Sequence, residues 1–416
     1  MKSKTLQGLL VAFLACLTAP QAHGVEITHV QYISHGAAYH EYIQTKARAF
    51  EALHPGVTVN VIIGNHERVD VMMVSGTPPD VIDLPDYVHL ALDGLLVDLL
   101  PLLERDGLID KFRPETLDLA RLPDGKIYTM PFLLQSNPTY FNRDLFKEAG
   151  LPAPDELGEE WSWETVLDFG KKLTIARSGE SLPASFGVDR PWSLWRIAVH
   201  QAGGRFYDDP LRPTRSLWDS PEVLEGIRYV EQIYRAGITP HLHVPDQTLY
   251  YFWTGKTAID MVDGPGIIGA YLKEAPFDWD FALQPRGPGG RAGAVSVAGP
   301  HILTSTQNLS AVWEWMKFIT VDEANVEEFV RMTGLVPALT AAQPAYPDAA
   351  GIAAKNYWFI FEQTLQPNPF NYMLPRELSP RFVNPQPVWE GQMSPQEWLT
   401  NMHRTATALI DEMRGD

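Results

Sequence analysis

The chain has 416 residues, with 51 acidic against 33 basic side chains and a formal net charge of −18 at pH 7. This length is enough for two domains that each bury a core. A surface of this sign repels phosphate backbones and anionic lipid, so nucleic acid and the membrane surface are excluded as expected partners.

The first 24 residues have the pattern of a secretory signal peptide. Lys2 and Lys4 form a positive start, an apolar run over 9–17 follows, and AHG at 22–24 offers small residues for cleavage. The apolar run is too short to span a bilayer. We therefore expect residues 1–24 to be removed and the mature chain to be periplasmic.

The single cysteine lies inside this leader. Without Cys16 the mature chain carries no thiol, which suits an oxidising compartment. The residues before it, FLA at 13–15, resemble a lipoprotein box. Attachment of lipid at Cys16 is therefore an alternative to free release.

The mature chain opens with strand and helix signals in alternation. Residues 25–33 alternate like a strand, and apolar residues at helical spacing predict a helix over 38–53. VTVNVII (57–63) is a β-branched run of the kind that is buried on both faces. A short helix after Asn65 leads to DVIDL (80–84), a further strand. This order predicts a parallel α/β sheet.

The segment 124–152 passes through 132–137 without a turn signal. An extended, unturned segment suits a strand that crosses between two α/β lobes, with further crossings near 283–286 and 333–336. A β-bulge at Pro131 explains the pattern equally well. Both interpretations stay open at this point.

The second half alternates helices and short strands as well. Helices are predicted at 163–174, 221–236, 264–273, 309–319, 322–332, 350–366 and 395–413. Strands are predicted at 257–262, 279–283 and 299–304. This half therefore has the composition of a second α/β unit.

All 12 tryptophans lie at or after residue 161. Indoles stack on the apolar faces of sugar rings and also hold cationic ligands, while carboxylates and amides bind hydroxyls. A Trp-rich lobe that faces an acidic lobe would make a sugar cleft. Trp313 and Trp315 have the spacing of core residues, so Trp192 and Trp195 in PWSLW are the better ligand candidates.

The catalytic and metal motifs in the chain are incomplete. HERVD (66–70) lacks the second histidine of a metalloprotease helix, and GKT (255–257) lacks the first glycine of a phosphate loop. The histidine pair at 241 and 243 is typical of a surface loop. We expect no catalytic residue, no metal and no cofactor. Paired carboxylates such as Asp83 and Asp86 leave a secreted carbohydrate-active enzyme as an alternative.

Three neighbouring stretches carry a family resemblance. GKIYTMPF (125–132), TYFNRDLFKEAGLP (139–152) and WSWETVLDFGKKLT (161–174) resemble the family 1 extracellular solute-binding proteins, maltose-binding-protein-like receptors of bacterial ABC importers. PPDVIDL, FWTGKTAIDM and TGLVPA agree, so the resemblance covers roughly residues 50–340. Arg143, where the family more often has Lys, and the Pro-rich segment 366–395 depart from the pattern.

The resemblance implies a fold and a division of the chain. The expected fold is α/β and periplasmic-binding-protein type II-like, with two lobes, three crossover segments and a ligand cleft between the lobes. It assigns 25–133 and 285–334 to lobe I, and 134–284 and 335–416 to lobe II. The implied function is to bind a sugar or related polyol and deliver it, as a monomer, to permease transmembrane subunits with ATPase subunits.

The resemblance also implies ligand contacts from loops at strand ends. In lobe I these are Tyr32, Ser34, His35, Gly64, Asn65, Asp83, Asp86 and Tyr87. In lobe II they are Asn137, Trp192, Trp195, Asp263, Gly264 and Tyr357. A non-sugar ligand, such as a polyamine, or a sugar phosphate remains an alternative.

Overall fold

The computed structural model describes residues 24–176, 183–240, 247–366, 374, 376–380 and 383–415. The leader before Gly24, with Cys16, and the histidines at 241 and 243 lie outside these residues. Among the described helices, none combines the length and the apolar character needed to cross a bilayer.

Strands and helices alternate through most of the described chain. The strands are β1 Val25–Tyr32, β2 Val57–Gly64, β3 Val81–Asp83, β4 Leu133–Ser136, β5 Thr139–Asn142, β6 Phe186–Val188, β7 Thr257–Asp260, β8 Trp279–Ala282, β9 Val295–Ala298 and β10 His301–Ile302. The helices are α1 Ala37–Leu53, α2 His66–Val74, α3 Val88–Leu92, α4 Leu100–Arg105, α5 Pro114–Ala120, α6 Arg143–Glu148, α7 Pro154–Leu157, α8 Trp163–Leu173, α9 Leu194–Gln201, α10 Pro221–Arg235, α11 Leu309–Thr320, α12 Glu323–Thr333, α13 Tyr346–Ala350, α14 Trp358–Glu362, α15 Gln386–Trp389 and α16 Pro395–Arg414.

The first sheet, in lobe I, has the strand order β10-β3-β1-β2. β1 is parallel to both β2 and β3, which confirms the predicted parallel sheet. The prediction that 57–63 is buried on both faces is wrong, because β2 is an edge strand and Ile63 is exposed. Helix α1 packs beneath this sheet, and the Tyr42 hydroxyl donates to the Ile319 carbonyl oxygen of α11 at 2.7 Å.

The second sheet, in lobe II, has the strand order β6-β7-β5-β8. β6 and β7 are parallel, whereas β5 is antiparallel to β7 and β8. Helices α8, α9 and α10 bury most of their apolar side chains in the core of this lobe. The residue limits of the two lobes stay a prediction.

Three extended segments run side by side between the sheets. β4 pairs with β9 in antiparallel register, and on its other side Leu134 donates to the Val336 carbonyl at 3.0 Å. The unturned segment 132–137 therefore contains a crossing strand. The segment predicted to cross near 333–336 lies beside it, since Val336 accepts the hydrogen bond from Leu134.

The crossing predicted near 283–286 is wrong, since the strand lies later, at 295–298. The intervening glycine-rich loop packs on lobe II instead. The backbone N–H of Arg286 donates to the Trp161 carbonyl at 2.8 Å, and the backbone N–H of Gly289 donates to the Gln201 carbonyl at 2.7 Å. A Cβ at Gly289 would lie 2.4 Å from the Gly203 nitrogen, so these glycines permit close backbone packing.

Two predicted helices are shorter than expected. The segment 264–273 forms only a turn of π-helix at Ile268–Leu272, consistent with the low helix propensity of its glycines. The segment 350–366 is interrupted, because left-handed Gly351 ends α13 and a new helix starts only at Trp358.

Candidate functional site

A cavity of about 560 Å³ lies between the two sheets. This volume is in the range of small-molecule sites. Its walls come from the ends of β1 and β3, from α5, from the crossing strands β4 and β9, and from the start of α9. Side chains of both lobes and of the connecting segments therefore meet in one space.

Most of the predicted contacts line this cavity. The lining includes Tyr32, Ser34, His35, Asp83, Asp86, Tyr87, Asn137 and Trp192. The lining does not include Gly64, Asn65, Trp195, Asp263, Gly264 and Tyr357. Contact with a ligand stays a prediction for the first group.

Trp195 is a correction to the sequence prediction. Its side chain is only 2% exposed, and its ring packs against those of Phe206, Trp218 and Trp398 in the lobe II core. It sits three residues after Trp192 on the buried side of α9, so it cannot reach a ligand without unpacking that core.

Gly64 and Asn65 have structural roles at the start of α2. The Asn65 side chain caps this helix by accepting from the Arg68 backbone N–H at 3.0 Å. A Cβ at Gly64 would lie 3.2 Å from a Val30 methyl group. The edge strand β2 thus ends outside the cavity wall.

The other three predicted residues lie near the cavity or behind it. Gly264 borders the wall, since a Cβ there would lie 3.7 Å from side-chain oxygens of Gln135 and Asn137. Asp263 directly follows Val262, which does line the cavity. Tyr357 packs at the edge of the core beside Trp358.

Several lining residues were absent from the sequence prediction. They include Asp118, Thr129, Gln135, Ser193, Arg196, Ser296 and His301. Gln135 alternates with Asn137 along an extended strand, and Arg196 follows Trp192 by one helical turn, so periodicity offered a signal for both. Ser296 and His301 reach the cavity through strand pairing, for which the local sequence has no signal.

Asp83 is the buried anion of the lobe I wall. The Tyr39 hydroxyl donates to its Oδ2, and His35 Nε2 lies 3.3 Å from its Oδ1. Burial raises the pKa of Asp83, but the charge and hydrogen bond of His35, with His29 and Tyr39, outweigh it and hold the pKa at about 2. Asp83 is therefore ionised and positions the imidazole of His35.

The contact with Asp83 also changes the pKa of His35. Burial lowers its pKa, but the charge of Asp83 and its hydrogen bonds more than offset this, so the pKa is raised. The ring stacks on Tyr39 with centroids 4.4 Å apart. The stacked Tyr39 ring and the contacts with Asp83 thus position the imidazole at the rim of the cavity.

The turn after β3 brings two further side chains to the cavity. Asp86 adopts a positive φ of 58°, which is uncommon for a residue with a Cβ. The adjacent Tyr87 ring packs on His301 with centroids 4.1 Å apart. Burial lowers the pKa of His301 to about 4, and its Nδ1 lies 2.9 Å from the Tyr128 carbonyl. His301 is therefore a neutral wall residue near neutral pH.

The lobe II wall presents one large aromatic surface. Trp192 is 56% exposed, whereas Trp161, Trp195, Trp218, Trp313 and Trp315 are among the largest fully buried side chains. The predicted Trp-rich wall is thus a single indole in the described part of the lining, and most tryptophans build cores.

Asn137 joins the crossing strand to the lobe II sheet. Its Nδ2 donates to the Val262 carbonyl, and its own carbonyl accepts from Gln284 Nε2 at 2.8 Å. These bonds fix the position of the side chain where β4 leaves the cavity. Carboxylates, amides, hydroxyls and one guanidinium around an open indole can bind a hydroxyl-rich molecule.

The chain matches known proteins over most of its length. The family described as bacterial extracellular solute-binding protein matches residues 31–326. The maltodextrin-binding protein of Bacillus subtilis is 24% identical over 80% of this chain and 79% of its own length.

Solved structures match the fold closely. An ABC substrate-binding protein from Listeria monocytogenes in complex with cycloalternan has a TM-score of 0.71 at 21% identity, over 94% of this chain and 99% of that one. The sugar-binding protein of Xanthomonas citri has a TM-score of 0.73 at 17% identity, over 94% and 98%. These similarities confirm the predicted type II periplasmic-binding-protein architecture.

Proposed function

This chain belongs to the bacterial extracellular solute-binding proteins, and we propose that it is the sugar receptor of an ABC importer. It binds a sugar or related polyol between its lobes and delivers it to a membrane permease. The observation that carries this proposal is the interlobe cavity, in which the open indole of Trp192 meets polar side chains of both lobes. The maltodextrin-binding relative supports a carbohydrate ligand.

Recognition follows from the chemistry of the walls. The indole of Trp192 stacks on the apolar face of a sugar ring. Asp86 and Asp118 accept hydrogen bonds from hydroxyl groups, while Arg196 donates to ring or hydroxyl oxygens. A neutral, hydroxyl-rich ligand uses both kinds of group without adding a net charge to the cavity.

Delivery depends on closure of the lobes around the ligand. Only the closed state lets both walls touch the ligand at once, so binding shifts the population toward that state by the difference in affinity. The crossing strands β4 and β9 and the segment at 336–338 absorb the change in backbone angles. The closed monomer then docks on permease transmembrane subunits that work with ATPase subunits.

Asp83 is a poor candidate for the general acid of a secreted carbohydrate-active enzyme, which is the alternative to a receptor. A general acid for glycosidic cleavage needs a raised pKa, whereas the pKa of Asp83 is about 2. In our proposal the protein carries no cofactor, binds no nucleic acid and works in the periplasm after export. Lipid attachment at Cys16 would tether the same receptor to the membrane.

Binding can be tested by thermal shift and calorimetry with the purified protein. The panel contains neutral sugars, maltooligosaccharides, polyols, sugar phosphates and polyamines. We expect at least one neutral sugar or polyol to raise the melting temperature and to bind with a saturable heat. Stabilisation by polyamines or sugar phosphates alone would overturn the neutral-sugar assignment.

Two further measurements separate a receptor from an enzyme. Small-angle scattering should show a smaller radius of gyration with the bound ligand, as closure requires. Chromatography of the ligand after prolonged incubation should recover it unchanged. Progressive cleavage of the sugar would contradict the proposal in favour of the enzyme.

A further inference from the structure

Three aspartates meet on the lobe II sheet, beyond the wall of the ligand cavity. Asp189 directly follows β6, Asp260 ends β7, and Asp263 lies in the loop after β7. One carboxylate oxygen from each lies within 4.8 Å of the other two. Asp189 and Asp260 are 2% and 0% exposed, and Asp263 is half-buried.

The strand register explains why the first two carboxylates converge. β6 and β7 are parallel, with Val188 opposite Ile259, so the next residues, Asp189 and Asp260, point to the same face. Tyr140 of β5 is the antiparallel partner of Asp260 and is also fully buried. The cluster is therefore built into the sheet.

The chain satisfies only part of this negative charge. Asp189 accepts from the Phe252 backbone N–H at 2.7 Å and has Arg190 Nε at 3.2 Å. Asp260 accepts from the Val262 backbone N–H at 2.8 Å through Oδ1.

Two carboxylate oxygens of the cluster and one neighbouring hydroxyl are buried without a hydrogen-bond partner among the described residues. Within the described residues, Asp260 Oδ2, Asp263 Oδ2 and the Tyr140 hydroxyl are buried and form no hydrogen bond. Unpaired carboxylate oxygen at this depth is costly. A cation at this point would offset that cost.

We propose that Asp189, Asp260 and Asp263 bind a divalent cation, with Ca²⁺ as the best fit. Ca²⁺ takes about six to eight oxygen ligands at about 2.3–2.6 Å in flexible geometry. Mg²⁺ demands near-octahedral geometry at about 2.0–2.1 Å and usually keeps several waters. Among the described residues the cluster offers three carboxylates and no nitrogen or sulfur ligand, which disfavours Zn²⁺. A buried set of protein carboxylates suits Ca²⁺ better than Mg²⁺.

The competing occupant is a proton shared between carboxyl groups. Burial and then the charges of Asp263 and Asp189 raise the pKa of Asp260 well above its usual value. The repulsion among the three carboxylates is therefore present in either case, and either a cation or a bound proton would reduce it. Geometry favours the ion, since three residues converge where a shared proton needs only two oxygens.

The position of the cluster connects it to the ligand cavity. Asp260 and Asp263 flank Val262, which lines the cavity and accepts the hydrogen bond from Asn137. An ion held by both aspartates fixes this loop from behind. We therefore expect the ion to stabilise lobe II whether or not a sugar is bound.

The test uses EDTA-treated protein without sugar, titrated with CaCl₂ or MgCl₂ in calorimetry and thermal melts. We expect a saturable heat and a rise of several degrees in melting temperature with Ca²⁺, and a smaller rise with Mg²⁺. Asp260→Asn should weaken Ca²⁺ binding by more than about tenfold, because it removes a charged ligand. Asp411→Asn, an exposed carboxylate on α16, is the matched control and should keep the full response.

Several outcomes would overturn this proposal. One is a wild-type protein that shows no heat and no shift with either ion, which would leave the shared proton as the occupant. Another is a Ca²⁺ response that survives in Asp260→Asn, which would indicate surface binding. If Asp260→Asn does not fold, Asp263→Asn gives the same comparison at a half-buried position. The sugar screen is independent, so failure of one proposal leaves the other intact.

Discussion

Replacement of Trp192 by alanine should weaken ligand binding and leave the fold intact. The side chain is 56% exposed without ligand, so its removal takes away little packing, and we expect a change within about 0.5 kcal/mol in the free energy of unfolding. In the proposed complex, the exposed indole face lies against a sugar ring. Trp192→Ala should therefore reduce the affinity for the ligand and not the stability of the fold.

The size of that loss follows from the exposed area. An exposed fraction of 56% of a tryptophan surface of roughly 250 Å² is about 140 Å². A ring stacked on one face covers about half of this, or roughly 70 Å². At about 25 cal/mol per Å² this is worth close to 2 kcal/mol. The dissociation constant should therefore rise roughly twentyfold.

Calorimetry on the ligand found by the screen measures this change. Trp358→Ala is the matched control, because Trp358 is 46% exposed but does not line the cavity, and its affinity should match the wild type. A dissociation constant for Trp192→Ala within twofold of wild type would refute the stacking argument. An equal loss in Trp358→Ala would refute the assignment of the cavity.

Three further variants test the wall and the lobes by urea denaturation. Asp83→Asn should lower the free energy of unfolding by about 2–3 kcal/mol, since His35 loses a charged partner. In the wild type, the stability contributed by the Asp83 carboxylate is present above pH 4 and is lost toward pH 2, because the pKa of Asp83 in the folded protein is about 2. His200 lies in the last turn of α9, with its Nδ1 2.8 Å from the Gly204 carbonyl oxygen, and burial lowers its pKa to about 4. Wild-type stability should therefore fall by up to about 3 kcal/mol more than that of His200→Gln between pH 6.5 and 4, and equal losses would contradict this. Gly289→Ala should cost more than about 2 kcal/mol through overpacking, whereas Gly266→Ala, with open space around its Cβ position, should be neutral.

Local signals in the sequence were enough to predict the elements that begin with a cap. Ser394 accepts from the Glu397 backbone N–H at 3.2 Å and starts α16 at Pro395, where the prediction placed it. The parallel strands of the lobe I sheet could be predicted equally well, because strand and helix patterns that alternate along the chain indicate parallel pairing. These features depend on residues that are near one another in the chain.

Features that depend on tertiary packing were beyond the sequence. The glycines of the 285–290 loop have the composition of a linker, yet Gly287 and Gly289 serve close contact with the end of α9. Trp192 and Trp195 share one short motif, but only packing of α9 decides that one indole is open and the other buried. His301 enters the cavity wall because β10 pairs with β3, which no local pattern reveals.

The crossing strand β4 limits which contacts can drive closure in the proposed mechanism. Gln135 and Asn137 line the cavity from this connecting segment, so a ligand reaches them in both the open and the closed state. Contacts made equally in two states do not shift the balance between them. The contacts that favour closure are therefore those of the distant walls, Trp192 on one side and Tyr32 on the other, since only lobe movement brings both to one ligand. Affinity can thus reside in the connecting strand while closure is controlled by the rims of the two lobes.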